Sequence, residues 1–241
     1  MKNNIKALYF DVFGTVTDWR SSVISECQKT TERLNIELDW GEFVDKWRLD
    51  GYIDALIKIS SGLMEIQPIE VIHMKKLHQL LDEYGITGLM PEEINHMNLA
   101  WNRLRIWDDV SDGLNLLKKK FMILPFSNGD LRCLVEISKY NNLPWDGIIS
   151  ADFFKKIKPD VTVYQDAADL LHMNPEEILM VAAHAKDLEA ARKAGMKTAY
   201  VIRPLEFGPC AVPEEKPEPF DYEVDSFIEL ASVLNQSSNE Q

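Results

Sequence analysis

Ile5-Lys6-Ala7-Leu8-Tyr9-Phe10-Asp11-Val12-Phe13-Gly14-Thr15-Val16-Thr17-Asp18 is the stretch that decides the fold. An apolar, aromatic-rich run ends in one carboxylate, and a Gly-Thr turn follows at once. Such a run reads as a buried strand that delivers an acid to its C-terminal edge, where open α/β sheets place their ligands. A second reading stands beside it: Asp11 caps the element after an ordinary core strand.

Outward from this stretch the pattern turns helical. Trp19 to Leu34, Glu42 to Ile59, Ile69 to Tyr84 and Pro91 to Leu104 carry apolar residues at three- and four-residue spacings, punctuated by Asp39, Pro68, Gly85 and Pro91. No strand pattern stands out between about residues 20 and 105, so the block reads as a helical cap inserted after the first strand. Strands and helices then alternate. Strands are expected at Phe121–Phe126, Gly147–Ser150, Ile178–Val181, Thr198–Ile202 and Tyr222–Val224. The matching helices are Asp109–Lys119, Leu131–Tyr140, Val161–Leu171, Asp187–Ala194 and Ser226–Leu234. The fold class is therefore α/β, a doubly wound parallel-sheet, Rossmann-like core with an inserted helical cap. Residues 1–18 and 105–241 form the core, and 19–104 the cap. The proline-rich, acidic segment 203–219 reads as an extended surface loop, and Asn235–Gln241 as a frayed tail.

The chain has 241 residues, a hydrophobic fraction of 46% and a net charge of −13, with a pI near 4.8. That composition supports a sizeable core. The charge argues against nucleic acid and anionic membranes as partners. Cys27, Cys133 and Cys210 are widely spaced, with no C-x-x-C pattern, and read as reduced thiols rather than a disulfide framework or a zinc site. No secretory leader and no bilayer-length apolar run are evident, so the expected location is cytoplasmic.

Four strand ends carry chemistry. The first gives Asp11 and Thr15. The second gives Ser127-Asn128-Gly129, the third Lys158-Pro159-Asp160, and the fourth His184-Ala185-Lys186-Asp187. The order Asp, Ser-Asn, Lys-Pro-Asp, Asp resembles the four motifs of the haloacid dehalogenase superfamily across nearly the whole core. Asp11-Val-Phe-Gly-Thr, the Ser127-Asn128-Gly129 turn and Lys158-Pro-Asp with Tyr164 resemble, more narrowly, the type II (S)-2-haloacid dehalogenases.

The resemblance implies that Asp11 is a nucleophile. Superfamily phosphatases carry a second Asp two residues later, as acid for the alkoxide leaving group; here Phe13 stands at that position. A halide leaves as a stable anion and needs no proton, so an aromatic wall is compatible with dehalogenation. Lys158 is the natural countercharge that keeps a partly buried Asp11 ionised. By resemblance, Ser127 holds the substrate carboxylate or Asp11, and Asn128 cradles the departing halide; both residue types also cap helices. Thr15 either hydrogen-bonds Asp11 or caps the next segment. Tyr164 either orients the carboxylates or simply packs.

Asp187 begins a helix among basic neighbours, a poor donor set for a hard cation, so no metal and no cofactor are expected. It is expected to pair with Lys158 and to orient the hydrolytic water. His184 stands where the type II pattern has Asn. It serves either as general base or as a positioning group for water. Lys186 replaces an expected aromatic and either alters the pocket or faces solvent. Arg48, in the Trp47-Arg48-Leu49 context, is by resemblance the cap arginine that collects the halide.

The expected activity is metal-independent hydrolysis of (S)-2-haloalkanoic acids to (R)-2-hydroxyalkanoic acids and halide through an Asp11 ester. The expected partners are a small 2-haloalkanoate and water, and the resemblance suggests a homodimer. A phosphatase of the same superfamily and a catalytically silent binding protein are the alternatives.

Overall fold

The computed structural model describes residues 4–209 and 218–236. Cys210, residues 211–217 of the proline-rich segment and residues 237–241 of the tail lie outside them. The chain divides into two compact units, Met1–Asp18 with Ile106–Gln241, and Trp19–Arg105.

The first unit opens with β1 (Ala7–Phe10) and the two-residue β2 (Thr17–Asp18). The helical unit follows with α1 (Trp19–Thr31) and α2 (Trp40–Lys46). A π-helical turn, Trp47–Ile53, carries the chain without a break from α2 into α3 (Asp54–Ser60). Then come α4 (Ile69–Glu83), α5 (Pro91–Asn98) and the two-residue β3 (Arg105–Ile106). The first unit resumes as α6 (Val110–Leu117), β4 (Met122–Ser127), α7 (Leu131–Tyr140), β5 (Ile149–Ser150) and α8 (Val161–Asp169). It ends with β6 (Ile178–Ala182), α9 (Ala185–Lys193), β7 (Lys197–Val201), β8 (Tyr222–Val224) and α10 (Phe227–Gln236).

Six strands form one sheet in the order β5-β4-β1-β6-β7-β8, and every pairing in it is parallel. From β1 the chain winds one way through β4 and β5, then the other way through β6, β7 and β8. The direction reverses beside β1, which makes the C-terminal end of β1 the switch point where such sheets bind ligands. Both faces of the sheet are buried, and the period of two is visible in the packing. Ala7, Tyr9, Leu124, Phe126, Ile178 and Met180 join α8 and α9 on one face. Leu8, Phe10, Ile123, Leu179 and Val181 join α6 and α10 on the other. Each fully buried Leu, Ile, Val, Met or Phe among them contributes about 1.5–3 kcal/mol from removal of apolar area from water.

Two expectations need correction. The segment after β7 is not simply a surface loop: Glu206 is 4% exposed and the Arg203 side chain 6%. An acidic, proline-rich stretch looks solvated in sequence, but here one acid and one base of it find buried partners. Asn235 and Gln236 are helical, because α10 continues past the expected end. Strands β2 and β3 escaped the sequence reading because two residues cannot display an alternation.

The helical unit has its own core of Trp19, Phe43, Trp47, Leu77, Leu80 and Trp101, all 0 to 1% exposed. Trp19 stacks on Trp101, and Trp47 meets Trp101 edge-on. Arg20 ties α1 to α2 through two hydrogen bonds to Asp45, at 2.7 and 2.9 Å. No helix among the described residues is long and apolar enough to cross a membrane.

Candidate active site

The site lies in the first unit, at the C-terminal ends of β1, β4 and β6. Asp11 follows β1 directly and is 7% exposed, with its own N–H donating to Val181 O at 3.0 Å. Both its oxygens are engaged. Lys158 Nζ donates to Oδ1 at 3.0 Å, and Thr15 Oγ1 donates to Oδ2 at 2.8 Å. His184 Nδ1 lies 3.3 Å from Oδ2. Burial alone would raise the Asp11 pKa, but the charges of Lys158 and His184 outweigh it and hold the carboxyl below its ordinary range. Asp11 is therefore a carboxylate at neutral pH.

Lys158 is 6% exposed and lies between two acids, its Nζ also donating to Asp187 Oδ2 at 2.6 Å. Burial opposes its charge, but the two carboxylates raise its pKa above the ordinary Lys value. One ammonium cannot fully neutralise both carboxylates. Asp187 carries the deficit: burial and repulsion from Asp11 push its pKa up, against Lys158 and a hydrogen bond from Tyr164 Oη to Oδ1. Tyr164 is fully buried, and burial beside Asp187 keeps its hydroxyl protonated well above the usual range. Its hydroxyl orients Asp187.

Asn128 fixes Lys158 by the main chain. Its Oδ1 accepts from Lys158 N–H at 2.8 Å, and its Nδ2 donates to Lys158 O at 2.9 Å. Ser127 is 1% exposed, and its Oγ accepts from Gly129 N–H at 3.2 Å. The cap of α7 falls to neither residue: Asp130 accepts from Cys133 N–H at 2.9 Å. Thr15 links two strand ends, since its Oγ1 also accepts from Ala183 N–H at 2.9 Å. Phe13 is 3% exposed and packs close to Gly129. Lys186 is exposed.

His184 bridges two acids. Opposite Asp11, its Nε2 lies 2.9 and 3.1 Å from the Glu206 oxygens. Burial disfavours the imidazolium, but Glu206 and Asp11 overcome it and raise its pKa well above the ordinary His value. Sequence reasoning missed Glu206. The available signal was position: it follows the C-terminal end of β7, next to β6 in the sheet, and lies between Leu205 and Phe207 rather than among other acids.

Arg48 belongs to the helical unit. It is 6% exposed in the π-helical turn, with its guanidinium over the rings of Tyr52, Trp19 and Trp101 at 4.7, 5.4 and 5.9 Å. His73, fully buried nearby, is held neutral by burial and by the Arg48 charge.

Among the described residues no group of three or more His, Cys, Asp or Glu could hold a metal ion, and Lys158 Nζ donates to both the Asp11 and the Asp187 carboxylates.

A parallel doubly wound sheet with an ionised, buried carboxylate at its switch point defines a class of α/β enzymes able to use that acid in covalent catalysis. The chain belongs to the haloacid dehalogenase-like hydrolase family, whose sequence model matches residues 5–195. It is 26% identical to (S)-2-haloacid dehalogenase 4A of Burkholderia cepacia over 97% of this chain and 96% of that one. Its fold superposes on the L-2-haloacid dehalogenase PA0810 with a TM-score of 0.90 and 34% identity, covering 96% of this chain and 99% of the other. The defluorinating L-2-haloacid dehalogenase Rha0230 gives 0.89 and 33%, covering 96% and 95%.

Proposed function

We propose that this hydrolase converts (S)-2-haloalkanoic acids to (R)-2-hydroxyalkanoic acids and halide through an Asp11 ester, without a metal. The observation that carries the reading is the Asp11 carboxylate itself, held ionised by Lys158 with Phe13 where a leaving-group acid would stand. The names of the relatives support the substrate class.

In the first half-reaction an oxygen of Asp11 attacks C2 in line. The C–halide bond breaks, and the halide leaves with its bonding electrons. No proton is needed, so Phe13 loses nothing by having none to give. Arg48 and Asn128 are the proposed halide donors; Asn128 Nδ2 carries two hydrogens, one of which Lys158 O uses. Ser127 and nearby backbone N–H groups are the proposed holders of the substrate carboxylate. The helical unit is the proposed cap. In the second half-reaction water attacks the carbonyl carbon of Asp11. His184 takes a proton from it, and Asp187, oriented by Tyr164 and Lys158, helps to order the water.

The test is halide release from each enantiomer of 2-chloropropanoate after exhaustive chelation, beside a phosphatase assay with Mg²⁺. Release from the (S) form alone, undiminished by chelation, supports the reading. Phosphatase turnover that needs Mg²⁺, with no halide release, overturns it.

A further inference from the structure

Glu206 has no place in the motifs that mark the family resemblance, yet several contacts build it into the site. Its N–H donates to Arg203 O at 3.1 Å, closing a turn. Arg203 is itself anchored, donating to both oxygens of Asp109 at 2.7 and 3.1 Å and to Thr15 O at 3.0 Å. Gly14, at φ +91°, leaves room on the other side: a Cβ there would stand 2.0 Å from Glu206 Oε1. The result is a buried carboxylate aimed at Nε2 of His184, with Nδ1 of the same ring aimed at Asp11.

We propose that Glu206 is a positioning residue for His184, holding the proton on Nε2 so that Nδ1 takes a proton from the water that attacks the Asp11 ester. The inference rests on the dehalogenase reading. An ionised carboxylate only accepts, so the imidazole facing it keeps its Nε2–H. The neutral ring then carries its lone pair on Nδ1, the nitrogen on the Asp11 side.

The charges also time the appearance of the base. In the resting site the ring lies between two carboxylates and is an imidazolium, which cannot accept a proton. Attack on C2 turns Asp11 into a neutral ester and releases the halide. One of the two carboxylates is thereby lost, and Nδ1 gives its proton to solvent, which reaches a side chain 29% exposed. The neutral ring next takes one proton from water, and the hydroxide oxygen bonds to the Asp11 carbonyl carbon. The C–O bond to the product alkoxide breaks, and the alkoxide takes the second water proton. Asp11 returns as carboxylate and His184 as imidazolium. Each turnover consumes substrate and water and yields hydroxy acid, halide and one proton. Of the other charged groups around the ring, Lys158 is paired with Asp11 and Asp187, Arg203 with Asp109, and Lys186 is exposed.

The test is a rapid-mixing experiment with (S)-2-chloropropanoate on wild type, Glu206→Gln and Glu206→Ala. It follows halide, proton release and the mass of the Asp11 peptide. Wild type should release one proton with the halide burst. The variants should keep the burst but hydrolyse the ester slower by roughly 10²-fold or more, so that the Asp11 adduct accumulates. In Glu206→Gln, which keeps the shape, the acidic limb of the hydrolysis rate should move to lower pH, because a carboxylate that raises the imidazole pKa is gone. A purely structural role would slow both steps alike and leave that limb in place. That pattern, or hydrolysis at the wild-type rate, overturns the inference alone. No halide from wild type would overturn the dehalogenase reading, and this inference with it.

Discussion

Lys158 and Asp11 stand 147 positions apart in the chain, and in the fold Nζ of one lies 3.0 Å from Oδ1 of the other. The contact spans the ends of two chain segments that only the doubly wound topology brings together. It also holds Asp11 ionised, the charge state that the proposed chemistry needs. Lys158→Met should leave Asp11 and Asp187 facing each other without a cation. Breaking a buried pair by removing one partner costs about 3–5 kcal/mol. Thermal unfolding should show a large loss of stability, and halide release should fall to background. A stable variant with wild-type turnover would show that the ammonium is dispensable.

The pH dependence of stability has two signs. The folded pKa of Asp11 is lowered, so its contribution is complete above the unfolded value of about 3.9 and fades as pH falls through the folded value. The folded pKa of His184 is raised, so its contribution is complete below about 6.5 and fades as pH rises through the folded value. Wild type should therefore lose melting temperature on the alkaline side of about pH 6.5 more steeply than His184→Ala, as read by unfolding scans at matched ionic strength. The difference between the two proteins cancels groups they share, such as Cys27, whose burial raises its thiol pKa. Parallel curves would mean that His184 is not held as an imidazolium.

Gly14 supplies a stability test that also reports on Glu206. Alanine there would meet the Glu206 carboxylate at 2.0 Å and would hold a positive φ of 91°. Gly14→Ala should destabilise by more than about 1 kcal/mol, beyond the range seen when the native φ is compatible. It should also push Glu206 off His184 and slow turnover. In the double variant Gly14→Ala/Glu206→Ala the clash is gone and only the backbone strain remains. Its stability loss should be smaller than the sum of the two single losses. Strict additivity in chemical unfolding would show that the two residues do not meet.

The strands and helices of the core were legible because each carries its period on its surface. Ala7–Phe10 and Ile178–Ala182 read as apolar runs because both sheet faces are covered. Asp11 was legible as an acid closing an apolar strand, and Lys158 and Asp187 as charges in the motifs that carry the resemblance, although Lys158 stands in the loop between β5 and α8 rather than at a strand end. Glu206 was not, because its burial depends on Arg203 reaching Asp109, a pairing across 94 positions that no local pattern announces. The amide of Asn128 was legible as a polar group at a strand end, but its use on the Lys158 main chain was not. A side-chain hydrogen bond to a distant backbone leaves no trace in either segment.

If Asp11 is the nucleophile, water attacks its carbonyl carbon and not C2 of the substrate. One turnover with enzyme in excess over (S)-2-chloropropanoate in ¹⁸O-water decides it, read by mass spectrometry of the Asp11 peptide and of the hydroxy acid. Label should enter the Asp11 side chain, and the first product should carry unlabelled oxygen. Label in the product alone, with an unlabelled Asp11, would contradict the ester and leave Asp11 at most a base for direct attack by water.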